Sequence, residues 1–64
     1  MTLSPREREC FQWAAAGKTA WETGRILSIA EGSVAKIMLA ATQKLDCVSK
    51  PQALVKALRL GLIS

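Results

Sequence analysis

Few side chains in this 64-residue chain can do chemistry: two thiols, Cys10 and Cys47, five carboxylates, nine Lys or Arg, and no histidine. A closed zinc site takes four nitrogen or sulfur ligands, so two thiols without histidine argue against one. A Cys10–Cys47 disulfide is conceivable, but one bridge without a secretory signal is weak ground. The plainer reading is a pair of reduced, buried thiols acting as small hydrophobes. No paired carboxylates mark a cleft, and no glycine-rich loop is spaced to cradle a phosphate. The residues therefore offer no catalytic constellation and call for no cofactor or metal. What remains is cationic, a net charge of +4 that favours polyanionic partners. Lys18 and Thr19, at a helix start, and Lys36 and Lys44, on a later helix, are placed to hold phosphate oxygens; the alternative is ordinary solvated caps and faces.

The elements that must position these groups are legible from their punctuation. Ser4 is an N-cap, Pro5 sits at the first helical position, and Glu7 completes a capping box. The first helix is expected over 5–16, with Cys10, Phe11 and Ala14 on one face, Trp13 at its edge, and Gly17 as a left-handed stop. Thr19 and Glu22 repeat the capping-box spacing and open a second helix over 19–27, with Thr23, Ile26 and Leu27 inward. Gly24 costs that helix about 1 kcal/mol relative to Ala, which points to close approach of another helix. After a turn at 28–32, a third helix over 31–45 aligns Val34, Ile37, Met38, Ala41 and Leu45 at helical spacing. Ser49, Pro51 and Gln52 start a fourth helix over 50–60, stopped by Gly61.

The hydrophobic half of the chain includes only three aromatics, Phe11, Trp13 and Trp21, so the core is aliphatic and suits packed helices. No apolar run approaches the roughly 20 residues of a membrane span, and the charged, capped N-terminus leaves no room for a signal peptide. A cytoplasmic chain without membrane contact is expected. The fold class is thus all-α, one four-helix domain over 1–64. A tight turn between the second and third helices fits the helix-turn-helix plan, in which the third helix enters the major groove and the second crosses the backbone.

Leu3-Ser4-x-Arg6-Glu7-x-Glu9, Gly17-Lys18-Thr19, Glu22, Ile26-Leu27-Ser28-Ile29, Ser33-Val34, Lys44-Leu45 and Gly61-Leu62-Ile63 resemble the LuxR-type DNA-binding domain across the whole chain, without gaps. Trp21-Glu22 and Lys50-x-Gln52-Ala53 look more like its quorum-sensing branch than its phosphorylation-controlled response regulators. The resemblance implies a C-terminal effector domain that binds double-stranded DNA as a homodimer, reads bases with the third helix and pairs through the fourth. It also implies an upstream sensor for an acyl-homoserine lactone. The ending favours an excised output domain, with Met1 an added start, over a stand-alone regulator. The DNA-binding set is then Lys18, Thr19, Ser33, Val34, Ala35, Lys36, Leu39, Ala40, Gln43 and Lys44, and the dimer set is Gln52, Val55 and Arg59.

Departures from the family pattern gather in the third helix. The family prefers a serine at position 30, a basic residue at 32, threonine at 33, a lysine, arginine or asparagine at 35, and often histidine at 37. This chain has Ala30, Gly32, Ser33, Ala35 and Ile37. Ala35 and Leu39 fall where the family commonly places base-contacting side chains, and neither can form a side-chain hydrogen bond. They can still touch thymine methyls, while Gln43 or a turn residue can read an adenine edge. Base specificity is expected to be weak or to rest on DNA shape. Losing a cap at Ala30 costs about 1 kcal/mol and Gly32 adds a similar penalty, so a frayed or mobile start to this helix is expected. Ser28 with Glu31 offers a substitute capping box one turn earlier. Trp21 is expected to pack across the helix surface rather than stack on bases, and Arg6, Glu9 and Arg25 to pair with one another. The rival reading is a degenerate DNA surface, apolar through Ala35, Leu39 and Ala40, that serves as a protein-interaction module and inhibits a related regulator by dimerising with it.

Overall fold

The computed structural model describes residues 2–64; Met1, read above as an added start, lies outside them. The order is α1 (Pro5–Ala15), α2 (Ala20–Leu27), α3 (Glu31–Lys44) and α4 (Lys50–Arg59). Among the described residues no helix is long and apolar enough to cross a membrane.

Three of the four helices start where the sequence places a capping side chain. The Ser4 hydroxyl accepts from Glu7 N–H while Glu7 Oε1 accepts from Ser4 N–H at 2.8 Å. Thr19 and Glu22 form the same reciprocal pair. Ser49 accepts from Gln52 N–H, and the Gln52 amide oxygen accepts from Val48 N–H at 3.0 Å. The start of α3 differs. The expected Ser28–Glu31 box does not form, because Ser28 (φ 60°) ends α2 in the left-handed conformation. Ala30 is the N-cap and supplies no side-chain bond.

All four helices end alike. One left-handed residue, Gly17, Ser28, Asp46 or Gly61, is followed by an N–H that reaches back five residues. These bonds are Lys18 to Trp13, Ile29 to Gly24, Cys47 to Thr42 and Leu62 to Ala57, all between 2.9 and 3.1 Å. They satisfy carbonyls that a helix end otherwise leaves without partners.

The central helix is α3, which packs against the other three. Its inner stripe of Val34, Met38, Ala41 and Leu45 meets Cys10 and Phe11 of α1, Ala53 and Ala57 of α4, and Ile63. Alanine at 41, 53 and 57, all fully buried, lets helices approach closely. Ile37 is only half-buried, and Ile26, expected inward, is 44% exposed. The inner row of α2 is instead Ala20, Thr23, Gly24 and Leu27, and at 100° per residue Ile26 lies on roughly the opposite side from Gly24. The close approach at Gly24 comes from the α2–α3 turn rather than from the body of another helix: a Cβ there would stand 2.6 Å from the Ile29 carbonyl oxygen and 3.4 Å from Glu31 N. The glycine thus lets the α2–α3 turn lie against α2 and fixes where α3 begins.

Both thiols are free. Burial pushes the Cys10 thiol above its ordinary pKa, whereas Cys47 is only half-buried and departs from the expected buried pair.

Candidate nucleic-acid interface

The outward side of α3 carries Ser33, Ala35, Lys36, Leu39, Ala40, Gln43 and Lys44, all exposed. Val34, included in the sequence-derived DNA set, is a correction. It is 1% exposed and belongs to the core, because it opens the inner stripe that Met38 and Ala41 continue. At the other side of the turn into α2, Lys18 and Thr19 are exposed. Thr19 N–H and the Thr19 oxygen are both engaged in the cap, and that backbone N–H holds the Glu22 carboxyl below its ordinary value. Thr19 Oγ1 accepts in the cap, which leaves its hydroxyl proton free to donate.

Lys44 is not a free cation. Its Nζ donates to Glu7 Oε1 at 2.8 Å, joining the last turn of α3 to the first turn of α1. Burial alone pushes the Glu7 carboxyl up, but the bonds from Lys44 and Ser4 N–H, with the Lys44 charge, outweigh it and hold its pKa below 4.5. Arg6 and Glu9 do approach, at 3.7 Å and exposed. Arg25 takes no part in that pair and lies over the Trp21 ring at 5.2 Å, on the outer face of α2.

Two residues missing from the sequence-derived set border α3. Val48, 96% exposed, and Lys50, the first residue of α4, line an open groove of about 250 Å³ with Ala35, Leu39, Thr42 and Ser49. Lys50 and Lys18 also share a cleft of about 230 Å³ between the α1–α2 turn and the start of α4. Lys50 thus borders the outer face of α3, where Lys36 is exposed, while Lys18 meets Lys50 across a cleft floored by Val34 and Met38. In the sequence Lys50 stands out by its place beside the Ser49 cap and in the Lys50-x-Gln52-Ala53 segment, and neither tells which neighbour it meets.

On the far side, Gln52, Val55 and Arg59 are exposed along α4 and line a second groove with Lys56 and Cys47. Leu58 and Leu60, 46% and 53% exposed, add apolar surface that the sequence reading had left out.

A helix presented over its whole length beside a turn and a second helix start is a helix-turn-helix arrangement, and comparison with known proteins decides the lineage. Residues 1–57 match the family of bacterial regulatory proteins described as the luxR family. The chain belongs to that family. It is a LuxR-family helix-turn-helix DNA-binding domain. It is similar to the quorum sensing-dependent transcriptional regulator RpaR of Rhodopseudomonas palustris, with 52% identity over 95% of this chain and 25% of RpaR. It is similar also to VjbR of Brucella ovis, another quorum sensing-dependent regulator, with 46% identity over 95% of the chain and 24% of VjbR. The solved structure of the transcription factor GerE superposes with a TM-score of 0.93 at 34% identity, covering 97% of this chain and 92% of that one. The chain spans about a quarter of the length of the two regulators it matches.

Proposed function

We propose that this domain is the output module of a longer, cytoplasmic transcriptional regulator of the acyl-homoserine-lactone-responsive type. It binds double-stranded DNA as a homodimer through Gln52, Val55 and Arg59 of α4, and it carries no catalysis. The outer face of α3 enters the major groove. Lys18, Thr19 and Lys36 meet phosphates, joined by Lys50. The observation that carries this reading is the exposed face of α3, which bears Lys36 and is bordered by Lys50 at the start of α4, with Lys18 across a neighbouring cleft from Lys50. Support for the sensor assignment comes from the similarity to RpaR and VjbR, quorum sensing-dependent regulators of which this chain matches about a quarter.

Fluorescence anisotropy of labelled duplex against salt tests it. Four phosphate contacts per subunit would give a log–log slope near −4. Lys18, Lys36 and Lys50 are the cations of this reading, because Glu7 holds Lys44, and counting these charges alone the slope per subunit is about −3. Absence of salt-dependent binding at low micromolar protein refutes the reading. A second reading, a protein-interaction module that pairs with an intact relative, is favoured by the exposure of Leu39 and Val48. Ala35→Arg separates the two: a gain of DNA affinity with dimerisation intact favours the second, and loss of preference among sites favours the first.

A further inference from the structure

The groove beside α3 is built unlike a surface that reads bases by hydrogen bonding. Its lining includes Ala35, Leu39 and Val48, and the last two are 58% and 96% exposed. Thr42, the buried member, has its hydroxyl proton committed to the Met38 carbonyl at 2.7 Å. No arginine stands anywhere on α3. The exposed polar members of the lining are Ser49 and Lys50, and Lys36 stands next to Ala35 on the exposed side of the helix. Whatever covers this surface is therefore anionic as a whole and apolar at the point of contact. In the major groove of duplex DNA the thymine C5-methyl is the apolar group displayed among hydrogen-bonding edges and between phosphates.

Resting on the DNA-binding reading above, we infer that Ala35 and Leu39 form a methyl-reading row that selects thymine at two positions in each subunit's site. The two residues lie one helical turn apart, about 6 Å along the axis, the interval at which a helix lying in the major groove meets successive bases. Gln43 continues the row by another turn, with the amide geometry that pairs with adenine. Specificity then comes from methyl burial, and affinity comes from the flanking lysines.

The test alters the DNA and leaves the protein fold untouched. Duplexes enriched by the 64-residue chain from a random library are resynthesised with single thymines replaced by deoxyuridine, which removes only the methyl. Two replacements per subunit site are expected to weaken binding about fourfold each, and Leu39→Ala is expected to erase the penalty at one of them. If every deoxyuridine duplex binds as tightly as its parent while the salt slope persists, methyl reading is wrong and the DNA-binding reading stands. If no duplex shows salt-dependent binding, both fall. If Leu39→Ala changes the sedimenting species while deoxyuridine is neutral, the groove is a protein contact and the inference is overturned.

Discussion

Two glycines lie inside helices, and the structure assigns them opposite responses to alanine. At Gly32, on the first turn of α3, an added Cβ meets nothing within 4 Å. Gly32→Ala therefore gains helix propensity alone, up to about 1 kcal/mol. At Gly24 the same gain is opposed by contact with the Ile29 carbonyl oxygen at 2.6 Å, with Glu31 N and Ala30 C at 3.4 and 3.5 Å behind it. All three obstacles are backbone atoms of the turn that starts α3, so no side chain can swing away. Overpacking of this kind costs about 1–3 kcal/mol, and a backbone obstacle belongs at the upper end. Gly24→Ala should therefore lose about 1–2 kcal/mol net. For a domain of this size that lowers Tm by roughly 5–15 °C, whereas Gly32→Ala raises it by several degrees.

Urea denaturation followed by far-UV circular dichroism, with half-buried Trp13 as a fluorescent reporter, measures both variants. Because α3 must move to admit the Cβ, Gly24→Ala should also weaken DNA binding at temperatures where it is fully folded. Equal stabilisation by the two substitutions would refute the packing of the α2–α3 turn against Gly24.

The Glu7–Lys44 pair links stability to pH. The folded pKa of Glu7 lies below its ordinary 4.5, so its contribution is present above pH 4.5 and is lost as pH falls through the folded value. Lys44→Met should cost about 1–2 kcal/mol at pH 7, with the half-exposed ammonium limiting the loss. It should also flatten the acid limb of a stability–pH curve and leave the salt slope of DNA binding nearly unchanged. Lys56 Nζ donates to the Leu45 carbonyl at 2.7 Å at the end of α3. Lys56→Met should cost about 1–2 kcal/mol in urea titration, since that carbonyl loses a charged donor. Ser28→Gly and Asp46→Gly each relieve a left-handed residue bearing a Cβ and should raise stability by up to about 1 kcal/mol, read as a rise in the denaturation midpoint.

What the sequence made legible was local chemistry. Ser4 with Glu7, Thr19 with Glu22, and Ser49 with Gln52 each act within one turn, and Gly17 and Gly61 are residues that favour a positive φ. The same left-handed stop at Ser28 and Asp46 was hidden, because neither side chain demands that conformation. Reading Ser28 as a cap for α3 was the direct consequence. Ile26 was misplaced because a helix of eight residues is too short for periodicity to choose between adjacent faces, and the true inner row contains Thr23 and Gly24. The Lys44–Glu7 bond spans 37 positions, and no local pattern announces it. Lys50 and Val48 escaped notice for the same reason. Their relation to Ala35 and Leu39 depends on how the α3–α4 connector folds back, which is a tertiary fact.

The restraints on α3 are unevenly placed. Its C-terminal end is held by Lys44 on Glu7, by Lys56 on Leu45 and by the Cys47–Thr42 backbone bond. Its N-terminal end has no side-chain cap and is placed by the turn lying on Gly24 and by the burial of Val34 in the core. In helix-turn-helix complexes the N-terminal residues of the recognition helix meet the base edges, so on the proposed DNA-binding reading the end without a side-chain cap is the one that faces the bases. Residues such as Ala35 and Leu39 lie on the exposed side, away from the stripe of Val34, Met38, Ala41 and Leu45 that anchors the helix. Substitution on that side alters what is read without disturbing what is held. The caps, stops and core are thus separate from the exposed side of α3, so on the proposed reading Ala35 and Leu39 can vary without cost to the fold.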